Sequence, residues 1–72
     1  MDNRTLALEF YRLNLHGTGW KIESGDFASA ITMLNSYVKD LAKVRDFTNA
    51  NIFKGHLAKV KAFQKESLKK AA

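Results

Sequence analysis

The side chains that could bind a metal ion in this sequence are few and lie far apart. The 72 residues include two histidines, His16 and His56, and no cysteine. The lack of cysteine excludes a disulfide framework, a thiolate zinc site, an iron–sulfur cluster and a cysteine nucleophile. A helical metal site needs a second ligand three or four residues away. Around His56 those positions hold Ile52, Phe53, Lys59 and Val60. We therefore predict no metal site, and we expect His56 to be a half-buried structural side chain.

The carboxylates and hydroxyls show no catalytic arrangement either. Asp26 stands where a helix N-cap belongs, and Glu66 can pair with Lys69 across one helical turn. No segment holds two carboxylates arranged as an acid–base pair, and no Gly-x-Ser-x-Gly elbow is present. The Gly-Thr-Gly run at residues 17–19 lacks the Gly-Lys-Ser/Thr ending of a phosphate-binding loop. We expect neither enzymatic activity nor a bound cofactor.

Charge is distributed unevenly along the chain. There are 12 Lys and Arg residues against 7 Asp and Glu residues, which gives a net charge of +5. Residues 1–48 are balanced, so the whole basic surplus lies in residues 49–72. Such asymmetry indicates an anionic partner, although exposed lysines can also simply solvate a helix face. The cations of this segment are all lysines, which lack the planar fork that arginine uses to recognise phosphate or guanine. Sequence-specific DNA recognition is therefore disfavoured.

These lysines fall largely on one side of the predicted C-terminal helix. A nucleic-acid-binding surface here would comprise Lys54, Lys59, Lys61, Lys65 and Lys69, and its binding would be weak, non-specific and dependent on salt. No apolar run approaches the ~18 residues that span a bilayer. The first four residues do not resemble a secretory signal. We therefore expect a cytoplasmic protein with no membrane span.

The N-terminal third of the sequence allows two structures. Leu6, Phe10 and Leu13 share one helical face, which predicts a helix over about residues 4–16 with Gly17 as its C-terminal cap. Residues 17–25 hold three of the four glycines and are predicted to form a loop. The alternative is a β-hairpin, because apolar and polar residues alternate on both sides of the glycines over residues 13–23.

The remainder of the chain predicts two long helices. One spans about residues 26–46, with Asp26 as its N-cap. Its apolar residues follow the 4-3-4-3 spacing of a packing seam: Phe27, Ile31, Leu34, Val38 and Leu41. The other spans about residues 49–70, with Thr48 or Asn49 as its N-cap. The short link between them predicts an antiparallel helical hairpin. The predicted fold is thus all-α, a three-helix arrangement forming a single domain over residues 1–72.

Two aromatic residues could contact a partner. A lone tryptophan between polar neighbours usually fills the edge of a core, but tryptophan is also enriched at interface hot spots. Trp20 and Tyr37 are the candidate anchors, and Lys54, Lys61 and Lys65 form the candidate charged rim. The eight aromatic side chains are many for so small an interior, which favours a homodimer that packs as a bundle.

We therefore expect a small non-enzymatic module that occupies a surface of a larger protein, as an inhibitor, adaptor or regulator. Its size and its lack of catalytic motifs resemble those of the accessory proteins of phages, plasmids and small bacterial operons. Two alternatives stay open: a nucleic-acid-binding protein that uses the lysines of the C-terminal helix, and a structural subunit of a larger assembly.

Overall fold

A computed structural model describes the backbone of residues 2–71 and the side chains of residues 2–69. This part of the chain forms four helices and no strand: α1 (Asn3–Arg12), α2 (His16–Glu23), α3 (Phe27–Lys43) and α4 (Phe47–Ala71). The all-α prediction is confirmed. The prediction of three helices is wrong, and so is the alternative β-hairpin over residues 13–23. The two end residues of the predicted domain, Met1 and Ala72, lie outside the described part.

Each of the three connections is three residues long and closes the preceding helix in the same way. Its middle residue adopts a left-handed backbone, with φ of 61° at Asn14, 85° at Gly25 and 60° at Arg45. In each connection the last residue donates its amide to a carbonyl five residues back, at 2.8–2.9 Å, and the middle residue donates to a carbonyl three residues back at 3.0 Å. This is the Schellman pattern, which satisfies carbonyls that a helix end leaves free.

Three of the four helices are preceded by an aspartate that accepts hydrogen bonds from the residue three positions on. The pairs are Asp2 with Thr5, Asp26 with Ser29, and Asp46 with Asn49. Each carboxylate takes both the backbone amide and a side-chain donor, so an otherwise free amide of the first turn is satisfied. The prediction of Asp26 as an N-cap is confirmed. α2 differs, because its N-cap is Leu15, which makes no side-chain cap hydrogen bond.

Several predicted boundaries need correction. α1 ends at Arg12 and not near residue 16, because Asn14 takes the left-handed position that the sequence reading had given to Gly17. The predicted loop over residues 17–25 is wrong, since α2 occupies most of it. α3 ends at Lys43, three residues before the predicted end. α4 starts two residues earlier than predicted, with Asp46 accepting from its first turn in place of Thr48 or Asn49.

α3 and α4 lie antiparallel along each other. Ring pairs at both ends fix their register: Phe27 lies against Phe63, and Tyr37 lies against Phe53, each with ring centroids 5.6 Å apart. Between these pairs Leu34 and Val60 are fully buried. The seam predicted from the apolar spacing of α3 is therefore the contact with α4.

α1 and α2 form a second, shorter layer. α2 packs against both α1 and α3, and its buried Thr18 donates to the Met33 sulfur of α3 at 3.7 Å. α1 reaches α4 through side chains: the ring of Phe10, fully buried, lies edge-on to His56 at 5.7 Å. The core formed between the two layers comprises Leu6, Ala7, Phe10, Ile22, Ala30, Leu34, Leu57 and Val60.

Candidate functional site

Trp20 lies on the outer side of α2. The core-facing side of this helix carries Thr18, Gly19 and Ile22, all buried. Trp20 is half a turn away from Ile22 around the helix, and 67% of its side chain is exposed. The interpretation that Trp20 fills the edge of the core is therefore wrong. A large apolar surface is left in water on an eight-residue helix.

The surroundings of Trp20 are basic and polar. The Lys21 ammonium lies 5.7 Å from the centroid of the Trp20 ring, within the range of a cation–π contact. The same ammonium lies 3.9 Å from the Asp26 carboxylate. Among the described residues no other aromatic ring stacks on Trp20. Trp20 thus has one cation over its ring, no aromatic partner in the described chain, and 67% exposure.

Two contacts of Tyr11 hold α2 against α1 and so fix the direction in which Trp20 projects. The Tyr11 ring stacks on His16, with centroids 5.7 Å apart and an interplanar angle of 23°. The Tyr11 hydroxyl donates to Glu23 Oε2 at 2.5 Å. The hydrogen bond to Glu23, more than the partial burial of the ring, raises the pKa of Tyr11. The neutral phenol is the form that can donate this bond, so the link holds throughout the physiological pH range.

Tyr37, the second predicted anchor, is less available. Its ring packs against Phe53 of α4, and 40% of the side chain is exposed. Tyr37 lies on α3, whereas Trp20 lies on α2, and the rings of these two predicted anchors do not contact each other.

Sequence reasoning missed two exposed apolar side chains at the turn between α3 and α4. Val44 is 74% exposed and Phe47 is 60% exposed. The predicted helix over residues 26–46 contained Val44. Because α3 ends at Lys43, Val44 lies just beyond the helix instead. α3 ends because Arg45 adopts a left-handed backbone. Since this residue is not a glycine, no signal in the sequence marked the helix end there.

The lysines of α4 separate into two groups. Lys54, Lys61 and Lys65 are exposed and form no ion pair among the described residues. Lys59 is different, because its ammonium lies 2.7 and 2.9 Å from the two carboxylate oxygens of Glu9 on α1. Lys69 lies 3.9 Å from Glu66, at the limit of an ion pair. In the described part of the chain α2 has no backbone contact with α4, so these lysines and Trp20 lie on helices that do not adjoin.

Neither histidine joins a group that could hold a metal ion. Among residues 2–69 there is no cluster of three or more His, Asp or Glu side chains in metal-binding reach. His56 is half-buried between two rings, Phe10 at 5.7 Å and Phe53 at 5.6 Å, and is edge-on to both. None of the helices in the described chain is long and apolar enough to cross a membrane.

These features define a small all-helical protein with an exposed tryptophan on α2 and a row of exposed lysines on α4. No protein-family model, no curated protein and no solved structure matches the chain.

Proposed function

We propose that this protein is a small non-enzymatic binding module, which acts as an inhibitor, adaptor or regulator by occupying a surface of a larger protein. Trp20 is the central contact residue of this proposal. The observation that carries it is the 67% exposure of the Trp20 side chain on the outer side of α2. Tryptophan is among the residues most enriched at interface hot spots.

The area of Trp20 is large enough to matter energetically. A tryptophan buries about 150–250 Å² when it is covered completely. Covering roughly 150 Å² of indole would contribute roughly 4 kcal/mol at ~25 cal/mol per Å². That lies within the range measured for single hot-spot residues. Because contacts with α1 already hold α2 in place, little ordering of the backbone would oppose this gain.

The charge around this site favours an acidic partner surface. Six of the seven carboxylates accept a hydrogen bond or ion pair within the chain: Asp2, Glu9, Glu23, Asp26, Asp46 and Glu66. Lys21, which lies beside the indole and 3.9 Å from the Asp26 carboxylate, is the cation that a partner seated on Trp20 would meet. Charges of this kind mainly set the encounter rate and specificity, whereas the buried aromatic sets the lifetime.

A comparative capture experiment tests the proposal. The wild-type chain, Trp20→Ala and Leu68→Ala are immobilised, exposed to an extract of the cells that contain the protein, and the bound proteins are quantified by mass spectrometry. Leu68 is a matched control, because it is 65% exposed at the far end of α4. We expect a protein that binds the wild type and Leu68→Ala and is lost with Trp20→Ala.

The same variants separate a foreign partner from a second copy of this chain. Sedimentation of the purified wild type over a range of concentrations measures self-association. If a dimer forms and Trp20→Ala abolishes it, the partner at Trp20 is another copy, as the aromatic content of the sequence had suggested. If Trp20→Ala retains every bound protein and every oligomer of the wild type, Trp20 is not a binding anchor and the proposal fails.

A further inference from the structure

We infer that the exposed side of α4 binds the phosphate backbone of a nucleic acid, independently of the protein-binding role proposed for Trp20. This lysine face consists of Lys54, Lys61, Lys65 and Lys69. All four residues are exposed. They follow one another at intervals of seven, four and four residues. On an α-helix these intervals place them within an arc of about 80° and along about 22 Å of the axis.

The positive charge of the lysine face is not neutralised within the protein. No carboxylate lies inside its arc. Glu66 lies beside it, with an oxygen 3.9 Å from the ammonium of Lys69 only. The other three ammonium groups pair with no carboxylate of the described chain. A row of uncompensated cations in water attracts an equally extended polyanion, since each phosphate contact releases a condensed counterion.

The residues between these lysines are small. Ala58 lies within the arc, Ala62 lies about 20° outside it and Gly55 about 40° outside it; all three are exposed. A Cβ built on Gly55 would meet nothing within 4 Å, so packing does not require a glycine there. Short side chains let the α4 backbone approach a phosphate chain closely while the lysines reach out on either side.

The structure favours a nucleic acid over an anionic membrane. A helix that lies on a membrane needs an apolar side to insert beside its cations. In α4 the apolar residues that share one side, Ala50, Leu57 and Val60, are buried in the protein. Its exposed apolar residues, Phe47, Ile52 and Leu68, point in different directions around the helix and form no stripe that could insert. The face contains no arginine, the side chain whose planar fork suits bidentate recognition of a base, so we expect binding through it to depend little on sequence.

The test measures the affinity of the full chain for a random-sequence duplex between about 50 and 200 mM salt. Four phosphate contacts give a slope of log K against log salt of about −3.6, which is a loss of roughly 150-fold over this range. The double variant Lys61→Gln/Lys65→Gln removes two contacts, and we expect its slope to fall to about −1.8. Circular dichroism confirms that each variant folds.

Lys59→Gln is the matched control. It removes one positive charge from the same helix, but Lys59 is paired with Glu9 and lies outside the arc of the lysine face. We expect the wild-type slope for this variant and a slope of about −2.7 for Lys61→Gln. Equal slopes for the two single variants would show that only net charge matters, which overturns the inference.

Two further outcomes would also overturn it. One is the absence of duplex and single-strand binding at about 50 mM salt. The other is binding to vesicles that contain phosphatidylserine with no binding to nucleic acid, which would identify a lipid surface as the ligand. Loss of nucleic-acid binding leaves the result of the Trp20 capture experiment unchanged, so the two proposals fail separately.

Discussion

The ring of Tyr11 lies directly against the backbone of Gly19, and this contact sets the distance between α1 and α2. A Cβ built on Gly19 would lie 2.6 Å from Cε1 and 2.7 Å from Cδ1 of the ring, and 3.1 Å from the Ala7 carbonyl oxygen. Real Cβ atoms do not approach other atoms so closely. Glycine is therefore required here by packing, inside a helix that it would otherwise weaken.

We expect Gly19→Ala to destabilise the protein by about 1–3 kcal/mol, although alanine favours a helix. The ring cannot move aside without disturbing its stacking on His16 and its hydrogen bond to Glu23. Chemical denaturation followed by circular dichroism measures the change. A Gly19→Ala variant as stable as the wild type would show that α1 and α2 are not in this contact.

Gly55 provides the opposite case in α4. A Cβ there meets nothing within 4 Å, and the residue lies in the interior of a 25-residue helix. We expect Gly55→Ala to stabilise the fold by about 0.4–1 kcal/mol, because alanine loses less backbone entropy on folding. The same denaturation measurement checks this. A destabilised Gly55→Ala would indicate that something packs on this side of α4.

Acid should weaken the capping of α3. Hydrogen bonds from the Ser29 hydroxyl and amide, helped by the charge of Lys21, hold the pKa of Asp26 below its ordinary value of 3.8. A carboxylate whose pKa is lower in the folded state stabilises the fold above its unfolded-state pKa. That contribution is lost as the pH falls through the folded-state pKa.

We therefore expect the denaturant concentration at the unfolding midpoint to decrease as the pH is lowered from about 5 to about 2. The decrease should be smaller in Asp26→Asn, whose amide can cap the helix without titrating. Asp40→Asn is the control, because Asp40 is exposed and its side chain has no hydrogen bond or ion pair in the described chain. Identical pH profiles for wild type and Asp26→Asn would contradict the capping role.

α2 should open more readily than the other helices. It has eight residues, two of them glycines in its first turns, and its N-cap Leu15 makes no side-chain hydrogen bond. Short helices without caps gain most of their stability from packing. We expect its amides to exchange with solvent faster than those of α3, as measured by hydrogen–deuterium exchange. Equal protection of α2 and α3 would contradict this expectation.

The amino-acid sequence predicts the long helices well because their signals are local. The apolar residues of α3 repeat at helical spacing, and Asp26 marks its start by the same hydrogen bonds that the structure shows. The capping aspartate of α4 was missed for a specific reason: the predicted second helix ran through Asp46. The spacing Asp46-x-x-Asn49 repeats that of Asp26-x-x-Ser29, and this signal could have identified it.

The short helix α2 was missed because glycine has two structural uses. At residue 25 it takes a left-handed backbone and ends α2. At residue 19 it allows a ring to approach a helix closely, a requirement that depends on Tyr11 and cannot be read from nearby sequence. Because residues 17–25 were predicted to form a loop, the sequence did not predict to which side of α2 the Trp20 side chain would project. Its exposure became evident only with the helix in place.

The most direct measurement of the central claim is acrylamide quenching of the fluorescence of Trp20, the one tryptophan of the chain. With 67% of its side chain in water, we expect it to be quenched in the folded protein almost as efficiently as in the unfolded chain. Adding the protein that the capture experiment identifies should shield it. A tryptophan already shielded in the free protein, or equally quenched in the complex, would contradict its role as the binding anchor.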